Sequence, residues 1–171
     1  MIGSIVPSST YLALRMVSCM PEGYEGVVVE LGPGTGVFTH AILNKLGKNG
    51  RLVAFESHPP FVDYLRKKIL DPRLTVIEGF AQTAPQALER ASIRGVEYVI
   101  SCLPLANIEK PEREKILDAI HNVLAPNGVY MQVQYFPLSF LALRRKFKNV
   151  RIAHYELRNI PPAFVYECRK N

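Results

Sequence analysis

Three glycines and two glutamates have the types and spacing of a site for a nucleoside-type ligand. Gly32, Gly34 and Gly36 alternate within one short segment that directly follows an apolar run. Glycine lets the backbone approach a ligand closely, and a helix that follows presents free N–H groups. Glu30 stands two residues before the first glycine, and Glu56 ends the next apolar run. A carboxylate at the Glu56 position can accept hydrogen bonds from ribose hydroxyls.

The spacing of the glycines separates two classes of cofactor. Dinucleotide-binding proteins use G-x-G-x-x-G, whereas the third glycine comes one residue earlier in Glu30-Leu31-Gly32-Pro33-Gly34-Thr35-Gly36. This arrangement resembles motif I of class I methyltransferases, in which the acidic residue holds the methionine end of S-adenosylmethionine. Phe80 stands where many methyltransferases have an aspartate that contacts the adenine amine. We therefore expect the Phe80 ring and the Ala81 backbone to contact the adenine.

The elements that must position these residues alternate between apolar β-rich runs and helical segments. This alternation predicts a parallel sheet with helices on both faces, whose ligand lies at the carboxyl ends of the strands. We expect seven strands, the last two pairing as an antiparallel unit, over residues 26–31, 51–56, 74–78, 96–101, 129–135, 150–156 and 164–168. We expect helices over residues 8–20, 37–46, 60–70, 84–92, 111–124 and 138–147, with a turn at 126–128.

Length and composition are those of one ordinary globular domain, with 171 residues of which 48% are hydrophobic and 21% charged. We expect an N-terminal helix segment over 1–25, a cofactor-binding core over 26–135, and a basic helix and β-hairpin over 136–171. No apolar run approaches the roughly 20 residues that span a bilayer, and no signal peptide is evident, which favours a cytoplasmic location. The three cysteines and four histidines are scattered, so we expect neither a metal site nor a disulfide.

The excess of positive charge is confined to the end of the chain. Residues 137–171 contain eight Lys or Arg residues against two Glu residues, which accounts for the whole net charge of +6. Such a segment suits peripheral contact with an anionic membrane or, less favoured here, with RNA. A solvated basic face without a dedicated partner explains it equally well.

Longer segments carry a more specific resemblance over nearly the whole chain. They are PSSTYLALRM at 7–16, VELGPGTGVFTHAIL at 29–43, SCLPLANI at 101–108, ILDAIHNVLAPNGVYMQVQY at 116–135 and RNIPPAFVYECR at 158–169. Together they resemble the bacterial phospholipid N-methyltransferases, a class I methyltransferase family with a Rossmann-like fold that methylates phosphatidylethanolamine. The resemblance implies S-adenosylmethionine as cofactor and S-adenosylhomocysteine as product.

The resemblance also implies roles for individual residues. The cofactor would be bound by Glu30, Gly32, Pro33, Gly34, Thr35, Gly36, Glu56, Ser57, Gly79, Phe80, Ala81 and Ser101. Ser101 and Leu103 would border the transferring methyl group, and Tyr135 would line the acceptor pocket and assist by hydrogen bonding. Arg151, Arg158 and Asn159 would bind the lipid headgroup. Arginine suits this role because its planar guanidinium matches phosphate oxygens.

Two departures from the family leave the acceptor open. Cys102 stands where the family has glycine, and Tyr135-Phe136-Pro137 replaces its Y-G-P turn. An rRNA adenine N-methyltransferase shares a similar motif I, but it needs N-L-P-[YF] after the fourth strand, whereas this chain has Ser101-Cys102-Leu103-Pro104-Leu105. Methylation of a small molecule and a non-catalytic cofactor-binding module are further alternatives.

Overall fold

The computed structural model describes residues 10–135, 140–156 and 162–170. The strands are β1 Val27–Leu31, β2 Arg51–Glu56, β3 Leu74–Glu78, β4 Val96–Ser101, β5 Leu124–Gln134, β6 Asn149–Glu156 and β7 Ala163–Arg169. The helices are α1 Thr10–Met16, α2 Val37–Lys45, α3 Pro59–Lys68, α4 Ala84–Arg90, α5 Lys110–Val123 and α6 Phe140–Lys146.

The strands form one sheet in the order β3-β2-β1-β4-β5-β7-β6. Strands β1 to β5 pair in parallel, and β7 is antiparallel to both β5 and β6. This arrangement confirms the predicted seven-stranded, mostly parallel sheet with an antiparallel last strand. The chain reverses its direction of winding between β1 and β4, which is where a doubly wound sheet opens a crevice for a ligand.

Both faces of the sheet are covered because the strands are apolar on both sides. Val29 and Leu31 of β1 pack in a core with α4, α5 and α6, whereas Val28 packs on the opposite face with α1, α2 and α3. Successive side chains of a strand point to opposite faces, so a continuous apolar run builds two cores at once. The two cores hold the carboxyl ends of β1, β2 and β4 in fixed positions.

Strand β5 and helix α1 differ most from the ranges predicted from the sequence, and the other elements differ by at most two residues at their ends. Strand β5 begins at Leu124 rather than at 129, and the predicted turn lies inside it. Val96 pairs with Leu124 while Tyr98 pairs with Val129, so the intervening residues of β5 bulge out. Asn127 in this bulge has φ of 61°, a conformation that asparagine tolerates better than most residues.

The first helix is shorter than the predicted 8–20, and residues 8 and 9 lie outside the described part of the chain. Helix α1 ends at Met16 and is followed by a turn. The apolar residues of this segment, Leu12, Met16, Val17 and Met20, are buried in the core beneath α1. They therefore pack against the sheet instead of facing outward. Among the described residues, no helix combines the length and the apolar character that crossing a membrane would need.

Candidate active site

The segments that follow β1, β2 and β3 leave the sheet side by side. The backbone N–H of Gly32 donates to the carbonyl of Phe55, and that of Gly79 donates to the carbonyl of Glu56, both at 2.9 Å. These bonds continue the ladder of the parallel sheet by one step beyond each strand. The loops predicted to bind the cofactor therefore meet at one edge.

The three glycines of the turn after β1 are all in the left-handed region. Gly32, Gly34 and Gly36 have φ values of 72°, 56° and 85°, which cost a residue with a Cβ about 1–2 kcal/mol each. A Cβ on Gly32 would also lie 2.9 Å from Cδ2 of Leu103, and one on Gly36 would lie 2.8 Å from Cδ1 of Ile69. Backbone conformation and close packing thus both require glycine in this turn.

Glu56 ties the glycine turn to the end of β2. Its Oε2 accepts a hydrogen bond from the N–H of Gly34 at 3.0 Å, and its Oε1 accepts one from the N–H of His58 at 2.9 Å. A carboxylate has about four acceptor positions, so the nearly buried Glu56 can still accept bonds from a ligand. Its place beside the turn agrees with the expected contact to ribose hydroxyls.

Glu30 is buried beneath the same turn, with 1% of its surface exposed. Its Oε2 accepts a hydrogen bond from the hydroxyl of Thr39 at 2.7 Å. Its Oε1 is buried and has no partner among the described residues. Burial raises the pKa of this carboxyl to about 8, against the lowering effect of the Thr39 hydrogen bond. The unpaired oxygen would be satisfied by a cationic group of a ligand.

A cavity of about 560 Å³ opens at this edge, within the range of roughly 300–1,000 Å³ for small-molecule and cofactor sites. It is lined by Gly32, Phe55, Glu56, Ser57, Gly79, Phe80, Ala81, Gln82, Leu103, Ile108, Glu112 and Ile116. Seven of these were predicted from the sequence. Phe55, Gln82, Ile108, Glu112 and Ile116 were missed. Glu112 and Ile116 lie on helix α5, which carries no motif that links it to the glycine turn.

The loop after β4 forms the other wall of the site. Ser101 is fully buried, and its Oγ accepts a hydrogen bond from the N–H of Leu103 at 3.3 Å. The carbonyl of Leu103 accepts hydrogen bonds from the side-chain amides of Gln132 and Gln134, both at 2.9 Å. These two glutamines were not predicted, although polar residues alternate with apolar ones in Met131-Gln132-Val133-Gln134. They hold the loop against β5.

Not all predicted acceptor residues come to the cavity. Tyr135 follows β5 at the correct edge, is half-buried and packs against the core beneath α1, but it does not line the cavity. Arg151 lies on β6, where its guanidinium donates to Oε2 of Glu167 at 2.6 Å. Arg158 and Asn159 lie outside the described residues, so their assignment stays a prediction.

Four basic residues of the described C-terminal part lie at the opposite edge of the sheet. Arg144, Lys148, Arg151 and Arg169 line a groove of about 350 Å³. Arg169 pairs with Val129 near the start of the parallel part of β5, which places the groove at the amino ends of the parallel strands. The structure therefore does not bring Arg151 together with the cofactor cavity. Within the described ranges no group of three or more His, Cys, Asp or Glu residues could hold a metal ion.

Comparison with known proteins identifies the family. A family model described as "Methyltransferase domain" matches residues 28–128. An ornithine lipid N-methyltransferase from Singulisphaera acidiphila is 32% identical over 169 residues, which are 98% of this chain and 88% of that protein. The chain belongs to the S-adenosylmethionine-dependent methyltransferases. This confirms the predicted enzyme class and its cofactor.

Other relatives of this methyltransferase share less of its length or sequence. Ribosomal RNA small subunit methyltransferase H from Nitrosomonas europaea is 29% identical over 91 residues, 53% of this chain and 28% of that protein. A precorrin-6y C5,15-methyltransferase structure from Geobacter metallireducens has a TM-score of 0.75 at 17% identity, covering 98% of this chain and 91% of that one. TrmN from Thermus thermophilus has a TM-score of 0.73 at 15% identity, covering 96% and 49%. The two structures support the fold.

The glycine turn suits S-adenosylmethionine on two observations of this structure. The cofactor's ammonium group would donate a hydrogen bond to the unpaired buried Oε1 of Glu30. At Gly34 a Cβ would meet no atom of the protein within 4 Å, so the backbone there is open to a ligand. A ligand next to Glu56 would then have both a backbone surface and a carboxylate to bind.

Proposed function

We propose that this methyltransferase N-methylates the amine of a membrane-lipid headgroup. The observation that carries the proposal is the similarity to the ornithine lipid N-methyltransferase, which extends over 98% of this chain and 88% of that protein. Phosphatidylethanolamine, the acceptor implied by the sequence resemblance, and ornithine lipid have an amine in common. The amine is therefore the feature that we expect the enzyme to methylate.

On this proposal, the donor side binds the cofactor in three parts. Glu30 and the glycine turn hold the methionine part, Glu56 holds the ribose, and Gly79 to Ala81 contact the adenine. Bound S-adenosylmethionine would supply a methyl group on a positively charged sulfur, and a neutral thioether is the good leaving group. The residues of the chain then have to align the acceptor amine with this methyl group and exclude water from the cavity.

On the acceptor side, Ser101 and Leu103 border the methyl group. Tyr135, which lies at the same edge of the sheet but outside the cavity lining, contacts the amine as it approaches. The amine attacks as the neutral base, and its proton leaves to water. The Leu103 carbonyl does not bind the amine in this scheme, because Gln132, Gln134 and the backbone N–H of Leu105 already donate hydrogen bonds to it. Alignment then depends on the fixed shape of the loop.

Methylation of RNA is the second candidate, because the similarity to the ribosomal RNA methyltransferases and the basic C-terminal segment both favour it. Two features argue against an adenine acceptor. Cys102-Leu103-Pro104-Leu105 lacks the asparagine and the aromatic ring that bind and stack an adenine base. The carbonyl of Leu103, which would accept from the base amine, already accepts three hydrogen bonds, from Gln132, Gln134 and the N–H of Leu105.

The experiment supplies methyl-labelled S-adenosylmethionine with liposomes that contain phosphatidylethanolamine or ornithine lipid, and in parallel with bulk RNA. We expect label in the lipid fraction, on the headgroup amine. Label in RNA and none in lipid would overturn the proposal. If the protein binds S-adenosylhomocysteine but transfers no methyl group from S-adenosylmethionine to any lipid, RNA or small amine, the proposal is overturned in favour of a non-catalytic module.

A further inference from the structure

The adenine end of the cavity lacks the usual hydrogen-bond acceptor. Phe80 stands at the position expected to contact the adenine, and a phenyl ring has no lone pair that could accept from the exocyclic amine. Its side chain lines the cavity and is 62% exposed, which leaves its face open for contact with a planar base. The edge of the base must therefore be recognised by other residues.

A carboxylate from helix α5 lies across the same cavity. Glu112 is in the first turn of α5, where the positive end of the helix dipole stabilises a negative charge. It lines the cavity together with Gln82, which follows β3 by four residues. The side-chain amide of Gln82 donates a hydrogen bond to Oε1 of Glu112. This bond joins the β3 loop to α5 and fixes the direction of the carboxylate.

We propose that Glu112, oriented by Gln82, accepts a hydrogen bond from the exocyclic amine of the cofactor's adenine. A carboxylate oxygen has more than one acceptor position, so Oε1 can keep the bond from Gln82 and Oε2 its contact with the exposed Lys115. Glu112 thereby makes the hydrogen bond to the adenine amine that an aspartate at the Phe80 position would make, and Phe80 packs on the base. Glu112 determines specificity for the cofactor, and Gln82 is a positioning residue.

The test compares the binding of two ligands by calorimetry. One is S-adenosylhomocysteine, and the other is its analogue with hydrogen in place of the 6-amino group. The wild-type protein should prefer the amine about tenfold to hundredfold, the range for a hydrogen bond to a charged group. Glu112→Ala should reduce this preference to within about threefold by weakening only the amine-bearing ligand. Gln82→Ala should reduce it partly.

The ratio of the two affinities separates recognition from a structural role. If Glu112 only braces the β3 loop, Glu112→Ala weakens both ligands equally, and an unchanged ratio overturns the proposal. Glu114→Ala, on the same helix but outside the cavity lining, is the matched control and should leave the ratio unchanged. If Glu112→Ala does not fold, Glu112→Gln should still lower the preference several-fold, and no change there also overturns the proposal.

Discussion

The donor side and the acceptor side of the cavity are held in place by different kinds of interaction. The donor side is formed by a backbone turn with three left-handed glycines, closed by a carboxylate of the neighbouring strand. On the acceptor side, the loop after β4 is held by two glutamine side chains from β5. The first depends on local backbone conformation, and the second on contacts between residues about 30 positions apart.

This difference indicates how each side responds to change. A left-handed backbone position tolerates glycine almost exclusively, so most substitutions in the turn disturb cofactor binding and stability together. The Leu103 carbonyl keeps its other donors when one glutamine is removed, so single substitutions on the acceptor side should have small effects. Donor and acceptor functions should therefore be separable by mutation.

The largest expected effect is on the donor side. Glu56→Gln removes the negative charge of the side chain that accepts from the Gly34 N–H and that, on our proposal, also binds the ribose. We expect the Kd for S-adenosylhomocysteine to rise about 100-fold, because two hydrogen bonds to a charged group are weakened. Calorimetry measures this, with Glu78→Gln at the exposed end of the adjacent β3 as the control. A rise below about threefold in Glu56→Gln would contradict the ribose assignment.

The donor side could be predicted from the sequence because it depends on local backbone conformation. Positive φ at Gly32, Gly34 and Gly36 requires a residue type that is visible in the sequence, and the strand ends follow from apolar runs. The hydrogen bonds of Gln132 and Gln134 to Leu103 depend on the register between β4 and β5, which no local pattern encodes. The headgroup role predicted for Arg151 rests on residue type alone, whereas its distance from the cavity follows from the topology, which places it at the opposite edge.

The second prediction compares two glycines within the turn. Gly36→Ala should lower the free energy of unfolding by about 2–3 kcal/mol, through backbone strain and the contact with Ile69. Gly34→Ala should lower the free energy of unfolding by about 1–2 kcal/mol, since only backbone strain opposes the added Cβ there. Urea denaturation measures both. Adding Ile69→Val to Gly36→Ala should recover part of the loss, because it removes the contacting Cδ1 atom. No recovery would mean that the contact with Ile69 does not contribute to the cost.

The third prediction concerns the acceptor side. Gln132→Leu together with Gln134→Leu leaves the carbonyl of Leu103 without these two donors, and we expect kcat to fall about tenfold as the loop shifts. Each single substitution should raise the activation free energy by less than half as much as the double substitution does, because the remaining amide still donates to the carbonyl. The affinity for S-adenosylhomocysteine should change less than kcat. Equal losses in both quantities would show that the two sides are not separable.

The smallest expected effect is on the pH dependence of the free energy of unfolding, through the proton bound by Glu30 on the donor side. The raised pKa of Glu30, about 8, means that the folded protein without cofactor binds more protons than the unfolded chain between the ordinary glutamate pKa and this value. The stability contributed by neutral Glu30 is therefore complete below the ordinary glutamate pKa and is lost as the pH rises through about 8. Glu30→Gln should remove this part of the pH dependence of unfolding.

Cofactor binding should reverse the protonation of Glu30. An ammonium group next to the buried Oε1 favours the carboxylate, so S-adenosylhomocysteine should release close to one proton per site at pH 7. Calorimetry in buffers of different ionisation enthalpy measures that number, and Glu30→Gln should release almost none. Equal release by both proteins would mean that Glu30 stays neutral in the complex. The ammonium would then be held elsewhere, and the donor side would depend on the glycine backbone and Glu56 alone.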